Sequence, residues 1–160
     1  NLIMKKILLI AFTLIFCACS NSDDSNTNDI DKLIGIWKPY REVEVYTNGE
    51  EDIYFPSVCE LKNRFTFRED RTFFNTNYPE SDDPNCEELV GGLYQSGTWE
   101  KLSEMKYKLV FNCLVPDCDS YTENLDEVTF PNINLVKIKF YEDDSDDNLD
   151  YYFIELSRVE

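Results

Sequence analysis

The chain has no histidine, only five glycines, and no apolar run long enough to cross a bilayer as a helix. Each absence excludes something. Without histidine there is no Ser-His-Asp or Cys-His pair and no imidazole to ligate a metal. Gly91 and Gly92 are adjacent, but no glycine-rich motif of the phosphate-cradling kind is present. Fifteen basic side chains stand against 32 acidic ones, a net charge of −17. Such a surface repels phosphate backbones and argues against nucleic-acid binding. Acids are plentiful enough for a glycosidase-like pair, yet nothing in their spacing singles out two of them. The chain reads as non-catalytic, and no cofactor is implied.

What is present begins with Met4-Lys5-Lys6, an apolar stretch from Ile7 to Phe16, and Cys17-Ala18-Cys19-Ser20. Two lysines, a short apolar segment and a small residue before a cysteine have the layout of a secretory signal. A permanent spanning helix would need about 20 residues. Cys19 after Ala18 resembles the lipobox of bacterial lipoproteins, in which that cysteine becomes the lipidated N-terminus. The resemblance implies a signal peptide over 1–18, lipidation at Cys19, and anchorage in the outer membrane of a Gram-negative bacterium, facing the periplasm or the exterior. An ordinary secreted protein is the rival. Loss of Lys5 and Lys6 would take the charge from −17 to −19. That charge keeps the body off anionic membrane surfaces and leaves the lipid as the membrane contact.

Residues 19–29 read as a lipidated acidic tether, being polar and without apolar periodicity. They also resemble the surface-export tags of some lipoproteins. Residues 30–160 form one domain, long enough to bury roughly two-thirds of its unfolded surface. Asn28 or Asp29 is expected to cap a short turn through Ile30, Leu33 and Ile34, which Gly35 ends.

Four cysteines remain: Cys59, Cys86, Cys113 and Cys118. An even number in an exported chain favours disulfides, with three possible connectivities. Cys113 and Cys118 are close in sequence and pair on proximity, which leaves Cys59 with Cys86. The chain-entropy estimate is ~2 kcal/mol for the short loop and ~3.6 kcal/mol for the longer one. A zinc site is the rival, against which the missing histidines and the lack of a C-x-x-C pair both speak.

Two Trp, ten Tyr and eleven Phe, with few glycines, favour strands. Phe65 and Phe67 alternate with polar neighbours. So do Tyr107, Leu109 and Phe111, then Val136, Ile138 and Phe140, then Tyr152, Ile154 and Leu156, as in half-buried antiparallel strands. The strands expected are 36–46, 51–55, 60–68, 71–78, 93–101, 105–112, 126–130, 134–142 and 149–159. Asn48-Gly49 suits a tight hairpin. Residues 79–92 make one long irregular loop that Cys86 pins. Consecutive hairpins without a long crossover fit an all-β, up-and-down antiparallel barrel of about eight strands, with a β-sandwich as the alternative.

Gly35-Ile36-Trp37, opening the first strand, resembles the G-x-W signature of lipocalins. Gly97-Thr98-Trp99 resembles the central strand of small lipocalin-like domains in bacterial lipoproteins. The resemblance implies a barrel whose closed end is covered by Trp37, with Arg158 stacked upon it. It also implies a calyx for a small apolar or amphipathic ligand. The residues assigned to that interior are Trp37, Phe65, Phe67, Phe73, Trp99, Tyr107 and Tyr152, and Val43, Leu109, Val136, Ile138 and Ile154 are read as inward too. With so many rings the barrel could instead be packed solid. A protein partner would then meet exposed rings such as Phe153, Tyr151 or Tyr141.

Within the acidic run 142–150, Asp144, Asp146, Asn148 and Asp150 alternate as in a calcium loop that starts at Asp144 and has Glu155 at its twelfth position. Leu149 stands where that loop needs glycine, so the run reads as a solvated hairpin tip. No metal ligand is assigned.

Overall fold

The backbone alternation closes into a single sheet. The computed structural model describes residues 30–90, 95–113, 115, 118–141 and 148–159. Its strands are β1 (Gly35–Tyr46), β2 (Glu51–Tyr54), β3 (Phe65–Phe67), β4 (Thr72–Asn75), β5 (Ser96–Lys101), β6 (Tyr107–Phe111), β7 (Tyr121–Leu125), β8 (Glu127–Asn132), β9 (Leu135–Phe140) and β10 (Leu149–Arg158). The path runs β7-β6-β5-β4-β3-β1-β10-β9-β8, with β2 beside β1. Every pairing is antiparallel. The result is a nearly closed barrel, and the sandwich alternative falls away because the strands make one continuous sheet. Its two ends, β7 and β8, are neighbours in sequence, separated only by Asp126.

β1 organises the rest. One edge pairs along β10 from Trp37–Arg158 to Tyr46–Leu149. The other edge is shared, with Gly35–Trp37 against β3 and Glu42–Val45 against β2. β2 follows from the Asn48-Gly49 turn. Gly49 takes φ +83°, and the Asn48 side chain accepts a bond from the Glu50 amide at 2.9 Å.

Inward residues of the strands pack as expected around Trp37, Phe67, Phe73, Trp99, Tyr107, Leu109, Val136 and Ile138. Phe67 meets Trp99 edge-on at 6.2 Å, and Phe73 meets Phe111 edge-on at 4.9 Å. Burial of such rings supplies most of the driving force, and edge-on pairs add to it.

Trp37 is fully buried, and its indole N–H donates to the Leu33 carbonyl at 2.8 Å. The Arg158 guanidinium lies 4.2 Å over the ring and donates to the carbonyls of Ile133, Ile34 and Lys32. It therefore ties the last strand to the turn that precedes the first. The cap of that turn is Asp31, whose carboxylate accepts from the Leu33 amide, the Tyr107 hydroxyl and Lys101. Asn28 and Asp29, the expected caps, lie outside the described residues, as do the expected leader and tether and Cys19.

The structure corrects several local expectations. Glu60–Lys62 forms a 3-10 turn rather than the start of a strand, and β4 ends at Asn75. β7 was not anticipated. Its sequence, Tyr-Thr-Glu-Asn-Leu, is polar at successive positions and its backbone pairs only with β6, so no alternation betrays it. The register shifts between Pro39 and Arg41, where Tyr40 is an extra residue. A one-residue bulge exchanges the two faces of everything beyond it. Val43 therefore does not point into the barrel. It shares the outer face with its register partner Phe153 in a second cluster with Val45, while Glu42, opposite Ile154, turns inward. Phe153, read as an exposed ring, is only 7% exposed, with Lys137 over its face. Tyr151 is partly buried beneath Lys139, and Tyr141 alone of the three is exposed.

Candidate functional site: a carboxylate-lined cavity at the barrel mouth

Beyond the packed core, on the side where β1 exchanges β3 for β2, lies an open cavity of about 540 Å³. Three groups of residues build it. The first is the inward face around the bulge: Pro39, Glu42, Ile154 and Leu156, with Phe65 from β3. The second is β2 and the segment after it: Ile53, Tyr54, Phe55 and Pro56. Glu60 of the 3-10 turn and Asn63, which caps its C-terminal end, complete the wall with Glu80 of the following loop.

The wall is held in place by bonds that strand patterning does not announce. Cys59 and Cys86 pair at disulfide distance with Cα atoms 6.0 Å apart, joining the turn to the loop. The Cys59 amide donates to the Ser81 carbonyl at 2.9 Å, and Lys62 Nζ donates to the Pro84 carbonyl at 2.7 Å. Asn63 Oδ1 accepts from the Tyr78 amide at 2.6 Å, while Glu60 accepts from the Ser57 amide at 2.9 Å. The second expected pair, Cys113 and Cys118, also lies at disulfide distance, with Cα atoms 5.9 Å apart.

Electrostatically the cavity is one-sided. Arg41 reaches its lining, but that guanidinium is engaged twice by Glu155, at 2.7 and 3.2 Å. The pair holds the Arg41 pKa above its ordinary value. Glu42 has its pKa raised, first by burial, then by the negative charges of Glu44 and Glu60. On the rim Glu44 accepts the hydroxyls of Tyr46 and Tyr54 at 2.8 and 3.2 Å. That bond is the main reason the Tyr46 hydroxyl is held above its ordinary pKa.

Of the seven residues assigned to a ligand from the sequence, only Phe65 lines this cavity. Trp37, Phe67, Phe73, Trp99 and Tyr107 belong to the packed core, Tyr107 with its hydroxyl on Asp31 at 2.9 Å and its pKa pushed up by burial. Tyr152 is partly buried and stacks on Phe140 at 5.0 Å. The residues the sequence did not announce are Glu42, Tyr54, Phe55, Glu60 and Glu80. In Glu42-Val43-Glu44-Val45 the plain alternation points the acids outward, and only the bulge reverses it. The rest follow no period, and their signal was no more than the Cys59–Cys86 pairing that had to bring them together.

Among the described residues no group of three His, Cys, Asp or Glu side chains could hold a metal ion. Residues 142–147 of the acidic run lie outside the described residues, and Glu155, the twelfth position counted from Asp144, is bound to Arg41. A scan against protein-family models finds no match, and neither does a search of curated proteins.

Proposed function

We propose that this protein is an exported, lipid-anchored carrier that binds a small apolar or amphipathic molecule in the mouth of its barrel. The observation that carries the reading is the cavity of about 540 Å³ beside a filled core. Ligand cavities are ~300–1,000 Å³, apolar-walled, with a few polar groups that orient the guest. Here Phe65, Ile154, Leu156, Tyr54 and Phe55 supply the walls. The likeness of Gly35-Ile36-Trp37, Gly97-Thr98-Trp99 and Arg158 to the lipocalin pattern supports the same role, with the binding place shifted from the barrel's depth to its mouth. The reading is of a binder, not an enzyme.

Export and anchorage draw on Lys5, Lys6, the apolar stretch and Cys19, with the outer membrane of a Gram-negative bacterium as the destination. Cys19→Ala should release the protein from membranes, and continued membrane association would refute the anchor.

A second reading, a packed barrel that meets another protein, is favoured by Phe55, which is 69% exposed, and by the exposed side chains of Ile53, Val58 and Leu61 near it. Native mass spectrometry of protein from its own host separates the two. A co-purified small molecule, lost on Phe65→Trp, supports the carrier. Protein that is always ligand-free and co-isolates with one stoichiometric polypeptide supports the second reading.

A further inference from the structure

We propose that the cavity selects a cationic amphiphile, an ammonium-type head on a short apolar body. This deepens the carrier reading and rests on it. Three carboxylates, Glu42, Glu60 and Glu80, face the cavity, whereas its one guanidinium, Arg41, is already matched by Glu155. Glu42 and Glu80 have no hydrogen-bond donor or cationic partner among the described residues. Burying an acid beside other acids raises its cost, and a positive guest removes that cost.

Tyr54, Phe55 and Phe65 add ring faces, which attract alkylammonium groups. A bare metal ion fits less well, because no three of these acids converge as metal ligands. An anion would meet three carboxylates and a guanidinium already engaged by Glu155. The apolar half of the guest is set by Ile154, Leu156 and Pro39.

The test uses one apolar body with three heads: octyltrimethylammonium, octanol and octanoate, each titrated calorimetrically into the full chain carrying Cys19→Ala. The cation should bind at least ~10-fold more tightly than octanol, a difference of ~1.4 kcal/mol, and octanoate most weakly. In the Glu42→Gln/Glu80→Gln double variant that preference should collapse while octanol affinity is retained. If octanol and the cation bind alike, or octanoate binds best, the charge selection is wrong and the carrier reading survives. If none binds to the parent protein, the carrier reading fails as well. A preference unchanged in the double variant would place recognition elsewhere and overturn the assignment.

Discussion

Arg158→Ala should strip the barrel of the clasp that joins its last strand to its first turn. The guanidinium donates through Nε to Ile133 at 2.9 Å, through Nη1 to Ile34 at 2.9 Å and through Nη2 to Lys32 at 2.8 Å. Two of these bonds are solvent-exposed, so the low end of the usual range applies, ~0.5–1 kcal/mol each. The stacking on Trp37 at 4.2 Å adds ~0.5–2 kcal/mol, because the indole beneath is fully buried and its face otherwise meets water. Together the loss is ~2–5 kcal/mol, a fall in melting temperature of roughly 6–20 °C for a domain of this size. Guanidinium-chloride unfolding followed by far-UV circular dichroism, with disulfides intact, measures it. Arg158→Lys keeps the charge but not the planar fork, so it should recover less than half of the loss. A double-mutant cycle with Trp37→Phe should give a coupling of ~0.5–2 kcal/mol. A loss below ~1 kcal/mol for Arg158→Ala, or full recovery by lysine, would refute the clasp.

Three further outcomes follow from the same geometry. Cys59→Ala/Cys86→Ala should cost ~3–4 kcal/mol by the loop-entropy model and expose the 76–90 loop to limited proteolysis, whereas undiminished protection would show that the loop is held without the bridge. Glu42 has a raised folded-state pKa, so its acid form favours the fold at low pH and that contribution disappears as pH rises through the raised value. Glu42→Gln should therefore be more stable than the parent at pH 7, by less than ~1 kcal/mol for a partly exposed group, with the gap closing in acid; a parent more stable at pH 7 would contradict the sign. Gly97→Ala would drive a methyl into the Val110 carbonyl and the Phe73 ring, an overpacking cost of ~1–3 kcal/mol readable as a lower denaturation midpoint.

The amino-acid sequence by itself determined the class of fold. Period-two alternation around Phe65, Leu109, Ile138 and Ile154 leaves a chain no choice but half-buried strands. The short links at Asn48-Gly49 and Glu69-Asp70-Arg71 impose neighbour-to-neighbour pairing, and the spacing of Cys113 and Cys118 suggests its partner. Trp37 and Arg158 were legible as a pair only through the resemblance of Gly35-Ile36-Trp37 and the arginine near the C-terminus to the lipocalin pattern. The site was not legible. It depends on one extra residue, Tyr40, whose bulge reverses the faces of β1, and on a 3-10 turn and loop that carry no period at all. Which side of a strand an acid occupies after a bulge depends on hydrogen-bond register with β10, a contact more than a hundred residues away in sequence. Local pattern cannot encode that, and tertiary pairing alone decided that Glu42 faces inward and Val43 does not.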